Sequence, residues 1–341
     1  MLRFKDENKN KTIGSLRKFP GENAYEITYY GDYALDEYLK CGAEDIPDML
    51  EFRKKYLYED NDLVPSCDTR HNCSGFFAHT PDGDLLLCHD LDNTYKMPCV
   101  TLADNLITGK TVGMSNLLTD FYLRICQEKS PSLEEKVWLT EHSCISAEKP
   151  LDCARILGTP YDTQDCMNAH GLALTTFSAG GTVIGDYGNK IPLCYYTLYR
   201  GIIDRCRTVD EAIAFLDRYT MSPGDNQSQF QIADASGKSI IVEYVDGKAV
   251  ILRCEKSYQI CSNFLIYNNP EMEGLGNDRY LAYREYLDAH GGTVDEETAF
   301  RLLHENHIPG DENYSVVFNL TKRTAAVQLA PGFAVTHRYS L

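Results

Sequence analysis

A cysteine opens a hairpin pattern in the stretch HNCSGFFAHTPDGDLLLCHDLD, residues 71–92. Two runs of strand-forming residues flank a Pro-Asp-Gly turn, which predicts an antiparallel hairpin with Cys73 at its start and Asp92 at its end. A thiolate is a strong nucleophile, and the mouth of a strand holds such a group in a fixed position. Cys73 is therefore the first candidate for catalysis.

A thiol of ordinary pKa needs a base nearby. The sequence assigns no histidine to this task, since His71 and His79 are only neighbours of Cys73 along the chain. If the peptide bond before Cys73 were cut, the freed α-amino group, with a pKa near about 8, would be well suited to accept the thiol proton. One residue would then supply both the nucleophile and the base.

Two other interpretations of the cysteines are open. The chain has 13 cysteines, most of them in apolar patterns, so Cys73 could be one more buried thiol that packs as a small hydrophobic residue. The residues with zinc-binding side chains around it are Cys67, His71, Cys73, Cys88 and His89. They form no Cys-x-x-Cys pair and no repeated spacing, so we expect no metal and no cofactor.

The overall charge excludes one large class of partners. The 341 residues include 33 Lys and Arg but 50 Asp and Glu, which gives a formal charge of −17. Such a surface repels nucleic acids and anionic membranes, so the expected partner is a small molecule or a peptide. The chain is also long enough to bury a substantial core without disulfides.

Targeting signals are not recognisable in the sequence. No apolar run approaches the roughly 18–20 residues that span a bilayer. The first residues, MLRFKDENKNKTIGSLRKF, are charged and do not form an apolar signal core. We therefore expect a cytoplasmic protein that does not associate with membranes.

Helix signals occur in the leader and in the second half of the chain. The leader, residues 1–72, combines a strand-like run, AYEITYYGDY, with a charged helical run, EDIPDMLEFRKKYLYED, and contains no candidate for catalysis. Capping boxes are formed by Thr208 with Glu211 and by Thr293 with Glu296. Apolar residues at helical spacing follow each box, so each predicts a helix.

Strand signals surround these helices. The segment QSQFQIADASGKSIIVEYVDGKAVILRC contains three strand-like runs joined by Ser-Gly and Asp-Gly, which predicts an antiparallel meander. SYQICSNF is a candidate for a further strand, and NYSVVFNLTKRTAAVQLA predicts a hairpin with its turn near residues 321–323. The expected fold class is α+β, with antiparallel sheets covered by helices.

An ordered series of motifs carries a resemblance to a known family. The motifs are YYGDYALDEYLK, CSGFFAHTPDGDLLLCHDLD, GMSNL, CMNAHGLAL, ADASGKSIIVEYVDGK, CSNF, GNDRY and YSVVFNLTKRT. They resemble the linear amide C–N hydrolases of the choloylglycine hydrolase group, relatives of bile-salt hydrolases, V-type penicillin acylases and isopenicillin-N acyltransferase. The resemblance implies an N-terminal-nucleophile hydrolase with a four-layer αββα sandwich, which cleaves non-peptide or simple amide bonds.

The resemblance also implies roles for particular residues. Cys73 matches the family nucleophile, which is freed by a cut between Asn72 and Cys73, so that residues 1–72 would be a leader or propeptide and residues 73–341 the amide hydrolase domain. Asp92, 19 residues after Cys73, matches an aspartate that orients the nucleophile and its amino group. Asn263 matches an asparagine of the oxyanion hole. Arg279 resembles a late arginine that acts on the cysteine electrostatically.

Two positions depart from the family pattern. Where the family usually has Gly-Arg-Asn-x-Asp, residues 88–92 are CHDLD, so a permanent cation has become the titratable His89. We expect this exchange, together with the added acid Asp90, to raise the thiol pKa. Ser178 stands where bile-salt hydrolases have another asparagine, and its hydroxyl can still donate a hydrogen bond. His89, Asp90 and Ser178 are predicted to line the substrate site.

Alternatives remain open for each role and for the function. Asp92 could bond its own turn, Asn263 could cap a strand end, and Arg279 could form a helix-start ion pair. The favoured function is hydrolysis of a small-molecule linear amide through an acyl-enzyme on Cys73. An inactive relative that acts as a binding or scaffold protein is the alternative from another class, and an acyltransferase would share the acyl-enzyme. A homo-oligomer is possible.

Overall fold

The computed structural model describes residues 3–63, 72–93, 97–117, 144–180, 188–222, 229–330 and 332–341. Its helices are α1 (Glu7–Gly14), α2 (Leu35–Cys41), α3 (Ile46–Tyr56), α4 (Pro150–Gly158), α5 (Tyr195–Arg205), α6 (Val209–Arg218), α7 (Asn277–Ala289) and α8 (Glu296–Glu305). One turn of 3-10 helix, Thr159–Asp162, follows α4.

The strands alternate with these helices along the chain. They are β1 (Arg17–Lys18), β2 (Tyr25–Thr28), β3 (Asn72–His79), β4 (Leu85–Asp92), β5 (Pro98–Asn105), β6 (Gly109–Asn116), β7 (Asp165–Asn168), β8 (Ala173–Phe177), β9 (Ile191–Leu193), β10 (Tyr219–Met221), β11 (Gln229–Ala233), β12 (Ser239–Val245), β13 (Lys248–Arg253), β14 (Gln259–Cys261), β15 (Glu312–Asn319), β16 (Thr324–Leu329) and β17 (Thr336–Ser340).

Two large sheets organise the described part of the chain. The nine-stranded sheet has the order β1-β2-β5-β6-β7-β8-β11-β12-β13, and the six-stranded sheet has the order β14-β3-β4-β15-β16-β17. Neighbouring strands are antiparallel except for β2 with β5, and a separate pair, β9 with β10, is also parallel. The hairpin predicted at Cys73 is β3–β4, at the centre of the six-stranded sheet.

Three apolar layers hold the sheets and helices together. The first layer lies between the nine-stranded sheet, the leader and α4–α6 and includes Leu174, Leu198 and Ile202. The second lies between the two sheets and includes Leu87, Met167 and Val316. The third lies between the six-stranded sheet and α7–α8 and includes Phe76, Leu287 and Leu303. This arrangement is the predicted α+β fold, a four-layer αββα sandwich.

Local sequence explains the β elements that build the site. The Pro-Asp-Gly turn joins β3 to β4, where Gly83 has a φ of 87° and its N–H donates to the Thr80 carbonyl at 2.9 Å. The meander is β11–β12–β13, and β12 is buried along most of its length because its run SIIVEY is rich in β-branched and aromatic residues. The last predicted hairpin is β15–β16.

The helix starts confirm one predicted cap and correct the other. The Thr208 hydroxyl accepts a hydrogen bond from the Glu211 N–H at 3.2 Å at the start of α6, as predicted. The predicted box at Thr293 is wrong, because the N-cap of α8 is Asp295, whose carboxylate accepts from the Thr298 N–H at 2.7 Å. Thr293 instead bridges to His79 at the end of β3.

The described residues contain no helix that is both long enough and apolar enough to cross a membrane.

Candidate active site

The strand register places Cys73 on the inner face of the six-stranded sheet. Cys73 pairs with Leu91, and Leu91 pairs with Tyr314, so these three side chains form one row that packs against the nine-stranded sheet. Because side chains alternate along a strand, Asp90 and Ser315 point to the opposite face, toward α7. The thiol is fully buried between the sheets.

The side-chain amide of Asn263 joins Cys73 to the second sheet. Asn263 lies just beyond β14, and its Oδ1 accepts a hydrogen bond from the Cys73 backbone N–H at 2.8 Å. Its Nδ2 donates to the Ser178 carbonyl at 2.8 Å, just beyond β8 in the nine-stranded sheet. The peptide nitrogen that a cut would release is thus held by a residue of the candidate site.

Arg279 reaches the same amide from the first turn of α7. Its Nη2 donates to Asn263 Oδ1 at 2.8 Å, and its Nη1 lies 3.4 Å from Asp92 Oδ2. Only 4% of Arg279 is exposed, so the pair is shielded from solvent. The guanidinium therefore joins the end of β4 to the residue that holds the Cys73 nitrogen.

Asp92 lies in a different row from the thiol, opposite Asn72. Burial raises the pKa of its carboxyl to about 6, while the Ile308 N–H, which donates to Oδ2 at 3.0 Å, and the charge of Arg279 oppose the rise. Asp92 is thus linked to the Cys73 backbone N–H through Arg279 and Asn263, and its charge acts on the thiol.

Several groups act on the Cys73 thiol in the uncut chain. Burial raises its pKa well above the ordinary value, and the negative charges of Asp165 and Asp92 act in the same direction. Arg279 and a hydrogen bond from the Ser178 backbone N–H lower the pKa, but the net direction is upward. The buried thiol is therefore protonated at neutral pH and needs a base before it can attack.

Asp165 is the residue of this site that the sequence pattern did not reveal. It opens β7, and its carboxylate accepts hydrogen bonds from His89 Nδ1–H at 2.8 Å, from the Tyr314 hydroxyl at 2.6 Å and from the Thr176 N–H at 3.3 Å. The available signal was an acid directly before the CMNAHGLAL motif, in a run that becomes a fully buried strand.

The three residues predicted to line the substrate site lie in different places. His89 lies on the face of Cys73, with its ring edge-on to Phe177 at 4.9 Å between centroids. Ser178 contributes its backbone N–H and carbonyl. Asp90 faces α7, where the Ser315 hydroxyl donates to it. The structure therefore directs Asp90 away from the thiol, and Asp165 and Asp92 are the acids whose charges act on Cys73.

The possible metal ligands do not gather in the part of the chain that is described. Within it, no group of three or more His, Cys, Asp and Glu side chains is arranged to hold an ion. Cys73 and His89 face the nine-stranded sheet, whereas Cys88 packs in the layer below α7 and α8. Cys67 and His71 lie outside the described residues.

Comparison with known proteins gives a consistent result. The family model of acyl-coenzyme A:6-aminopenicillanic acid acyl-transferase matches residues 143–322. Penicillin V acylase from Agrobacterium tumefaciens is similar in structure over 78% of this chain and 84% of its own, with 15% identity and a TM-score of 0.50. A variant of conjugated bile acid hydrolase from Clostridium perfringens is similar over 79% and 92%, with 14% identity and a TM-score of 0.50. No curated protein matched the chain.

These findings concern different parts of the molecule. At such identities the two solved structures show a shared fold. The family model covers more than half of the 341 residues and includes Asp165, Ser178, Asn263 and Arg279, while the β3–β4 hairpin lies before it. The chain therefore belongs to the acyl-coenzyme A:6-aminopenicillanic acid acyl-transferase family, within the N-terminal-nucleophile hydrolase group.

Proposed function

We propose that this protein is a cysteine N-terminal-nucleophile hydrolase that cleaves a linear amide C–N bond of a small molecule. It matures by cutting its own chain between Asn72 and Cys73. Residues 1–72 are then the leader, and residues 73–341 are the amide hydrolase domain with Cys73 at its new amino terminus.

The hydrogen bond from the Cys73 N–H to Asn263 carries the proposal. It holds the nitrogen of the bond to be cut in the uncut chain, at 2.8 Å from an amide that Arg279 also binds. The backbone N–H of any buried residue needs a partner, but here the partner is a side-chain amide that a buried guanidinium also binds, which supports a role beyond packing. Once cut, the same nitrogen becomes the α-amino base of the nucleophile.

In turnover, each group has one task. The Cys73 thiol attacks the substrate carbonyl and forms an acyl-enzyme, while the α-amino group takes the thiol proton and returns it to the leaving amine. The Ser178 backbone N–H, which bonds the thiol, and the Asn263 amide stabilise the oxyanion in this proposal. Asp92 and Arg279 hold Asn263 and the amino group in place.

The test is the intact mass of the protein expressed without an N-terminal tag, under denaturing conditions. We expect the wild type to be cut at Asn72–Cys73, and the variant Cys73→Ala to keep a mass near 38.6 kDa and to hydrolyse nothing. Cys88→Ala is the matched control, because it removes another fully buried thiol from the same hairpin. A wild-type chain that stays uncut would contradict the proposed function.

Hydrolysis and acyl transfer differ in the molecule that takes the acyl group from the enzyme, which is water in the first case and an amine in the second. The relatives' names suggest penicillin V and a conjugated bile acid as first amides to test. Hydrolysis releases the free acid in buffer alone, whereas the printed name of the matching family describes an acyl transfer, which needs an acceptor amine. In both cases mass spectrometry should find the acyl group on Cys73.

A further inference from the structure

His89 has one ring nitrogen that is hydrogen-bonded and one that has no partner among the residues that the structure describes. Its Nδ1–H donates to the Asp165 carboxylate at 2.8 Å, and both side chains are fully buried. Its Nε2 is also buried and has no hydrogen-bond partner among the described residues. A buried polar atom without a partner costs free energy, so its retention calls for an explanation.

The pair with Asp165 defines the chemical state of the free nitrogen. Because the carboxylate can only accept, Nδ1 carries a hydrogen, and in the neutral ring Nε2 is then a basic lone pair. Asp165 itself is held as an acceptor by three donors: His89, Tyr314 and Thr176. This is the arrangement of a base oriented by a third group.

The sheet register places His89 on the same face of the sheet as Cys73. Gly75 pairs with His89 and Cys73 pairs with Leu91, so Cys73 and His89 are diagonal neighbours on one face, a separation that a long side chain can bridge. Gly75 cannot be replaced by a larger residue, because a Cβ there would lie 2.3 Å from the Cys88 carbonyl oxygen. The negative charge of Asp165, the partner of His89, also acts to raise the pKa of the Cys73 thiol.

Other candidate bases are less suitable in the uncut chain. The Cys73 nitrogen is still an amide N–H that donates to Asn263, so it has no basic lone pair. Asp92 lies in another row and is engaged by Arg279 and by the Ile308 N–H. The Tyr314 hydroxyl donates to Asp165. Self-cleavage therefore lacks the amino group on which later turnover depends.

We propose that His89, oriented by Asp165, is the base that takes the proton of the Cys73 thiol during self-cleavage of the chain. The inference rests on the proposed function and adds a second base to it, which acts before the α-amino group exists. In the mature enzyme the amino group takes over this task.

The steps balance without any cofactor. The Sγ–H proton moves to His89 Nε2 while Sγ bonds to the carbonyl carbon of Asn72. As the Asn72 C–N bond breaks, this proton passes to the Cys73 nitrogen, which leaves a thioester and a free amine. Water then attacks the thioester, its hydroxyl stays on Asn72 as the carboxyl group, and its other proton returns through His89 to Sγ.

The test follows self-cleavage of the full chain after cell-free synthesis, by intact mass over time. His89→Gln keeps a donor for Asp165 but removes the base, and we expect cleavage to slow by about 10²-fold or more. His89→Gly should be equally slow, and added imidazole should raise its rate. His79→Gln is the matched control, since His79 ends the neighbouring strand β3 at the far end from Cys73, and it should cleave at the wild-type rate.

The possible outcomes distinguish a failure of the role of His89 from a failure of the proposed function. Cleavage of His89→Gln within twofold of the wild-type rate would overturn the role of His89 and leave the proposed function intact. Slow cleavage of both variants without any response to imidazole would also overturn it, because the ring would then act only as a structural element. A wild-type chain that never cleaves would refute the proposed function itself.

Discussion

Asp90 is a buried acid on the face of the six-stranded sheet that packs against α7. Its side chain is fully buried below α7, in the row Ser74–Asp90–Ser315. Burial raises its pKa well above the ordinary value, and the neighbouring charge of Asp92 adds to the rise. The raised pKa favours the neutral carboxylic acid, which has nearly the same shape as the side-chain amide of asparagine. An asparagine is also the residue that the family resemblance predicts at this position.

The variant Asp90→Asn should therefore be more stable than the wild type at neutral pH. The folded-state pKa of Asp90 lies above its unfolded value, so the folded protein binds more protons, and its free energy of unfolding falls as pH rises above about 4. Asparagine does not titrate and escapes this loss. We expect a gain of about 1–3 kcal/mol at pH 7.5 that disappears near pH 4, measured by denaturant unfolding.

Asp84 provides a control of opposite sign. Hydrogen bonds from Lys322 and Asn319 lower its pKa, so its contribution to stability is present above the unfolded pKa and is lost as pH falls. Asp84→Asn should therefore be less stable than the wild type at pH 7.5 and should approach it at low pH. If Asp90→Asn behaved like Asp84→Asn, the carboxyl of Asp90 would be ionised in the fold.

The sequence predicted part of this site at the level of single residues. Cys73, Asp92, Asn263 and Arg279 were selected by motif, and the structure brings them together; their catalytic roles stay predictions. Asp165 was not selected. Its partner His89 is 76 residues away in the chain, and the two meet only because two sheets pack face to face. No local pattern encodes that contact.

Among the elements, the start of α7 depends on a glycine. Gly276 precedes the helix with a φ of 77°, and a Cβ there would lie 2.3 Å from Ser262 Oγ and 2.5 Å from Arg279 Nη2. An alanine would have to displace the guanidinium that binds Asp92 and Asn263. The glycine thus lets α7 approach the end of β14 closely enough for Arg279 to reach the site.

Gly276→Ala should accordingly lose stability and site function together. Gly237→Ala is the matched control, because Gly237 also has a positive φ, 89°, but a Cβ there meets only Leu85 carbons at 3.9 Å. Both should lose about 1–2 kcal/mol of unfolding free energy through the left-handed backbone. Only Gly276→Ala should lose more than this and self-cleave at least tenfold more slowly. Equal behaviour of the two variants would show that Arg279 does not depend on this approach.

The hairpins and the meander were predictable because alternation and turn residues specify them locally. The cap of α8 was not, since Thr293 and Asp295 both suit an N-cap and the strand-like bridge from His79 to Thr293 decides between them. For the strand candidate SYQICSNF, the sequence did not indicate a sheet. It becomes β14 and pairs with β3, not with the meander that precedes it, and this choice places Asn263 beside Cys73.

At the scale of the whole molecule, the leader is an integral part of the fold. β2 pairs with β5 inside the nine-stranded sheet. The Arg53 guanidinium lies 2.7 Å from the Asp162 carboxylate, and the buried Tyr33 hydroxyl bonds to Asp204 and accepts from Arg200 at 3.1 Å. The leader also buries many apolar side chains, among them Phe4, Ile13, Tyr25, Ile27, Tyr29, Leu35, Tyr38, Leu39, Met49, Phe52 and Leu57.

The cut chain should therefore remain one particle. Each large apolar side chain contributes about 1.5–3 kcal/mol when it is buried, whereas nanomolar association corresponds to about 12 kcal/mol. Removal of the leader would also uncover one edge of the nine-stranded sheet and part of its helical layer. After cleavage at Asn72–Cys73 we expect two chains by denaturing mass spectrometry and a single complex near 38.6 kDa by native mass spectrometry.

The uncut variant Cys73→Ala gives the reference, with one chain under both conditions. A leader that separates from the large chain in native buffer would show that its packing is weaker than its buried contacts indicate. Retention has a consequence for the site, because α2 and α3 of the leader pack in the same layer as α5, which lies directly behind β7 and Asp165. A retained leader would therefore continue to support the layer behind Asp165 and, through Asp165, the position of His89.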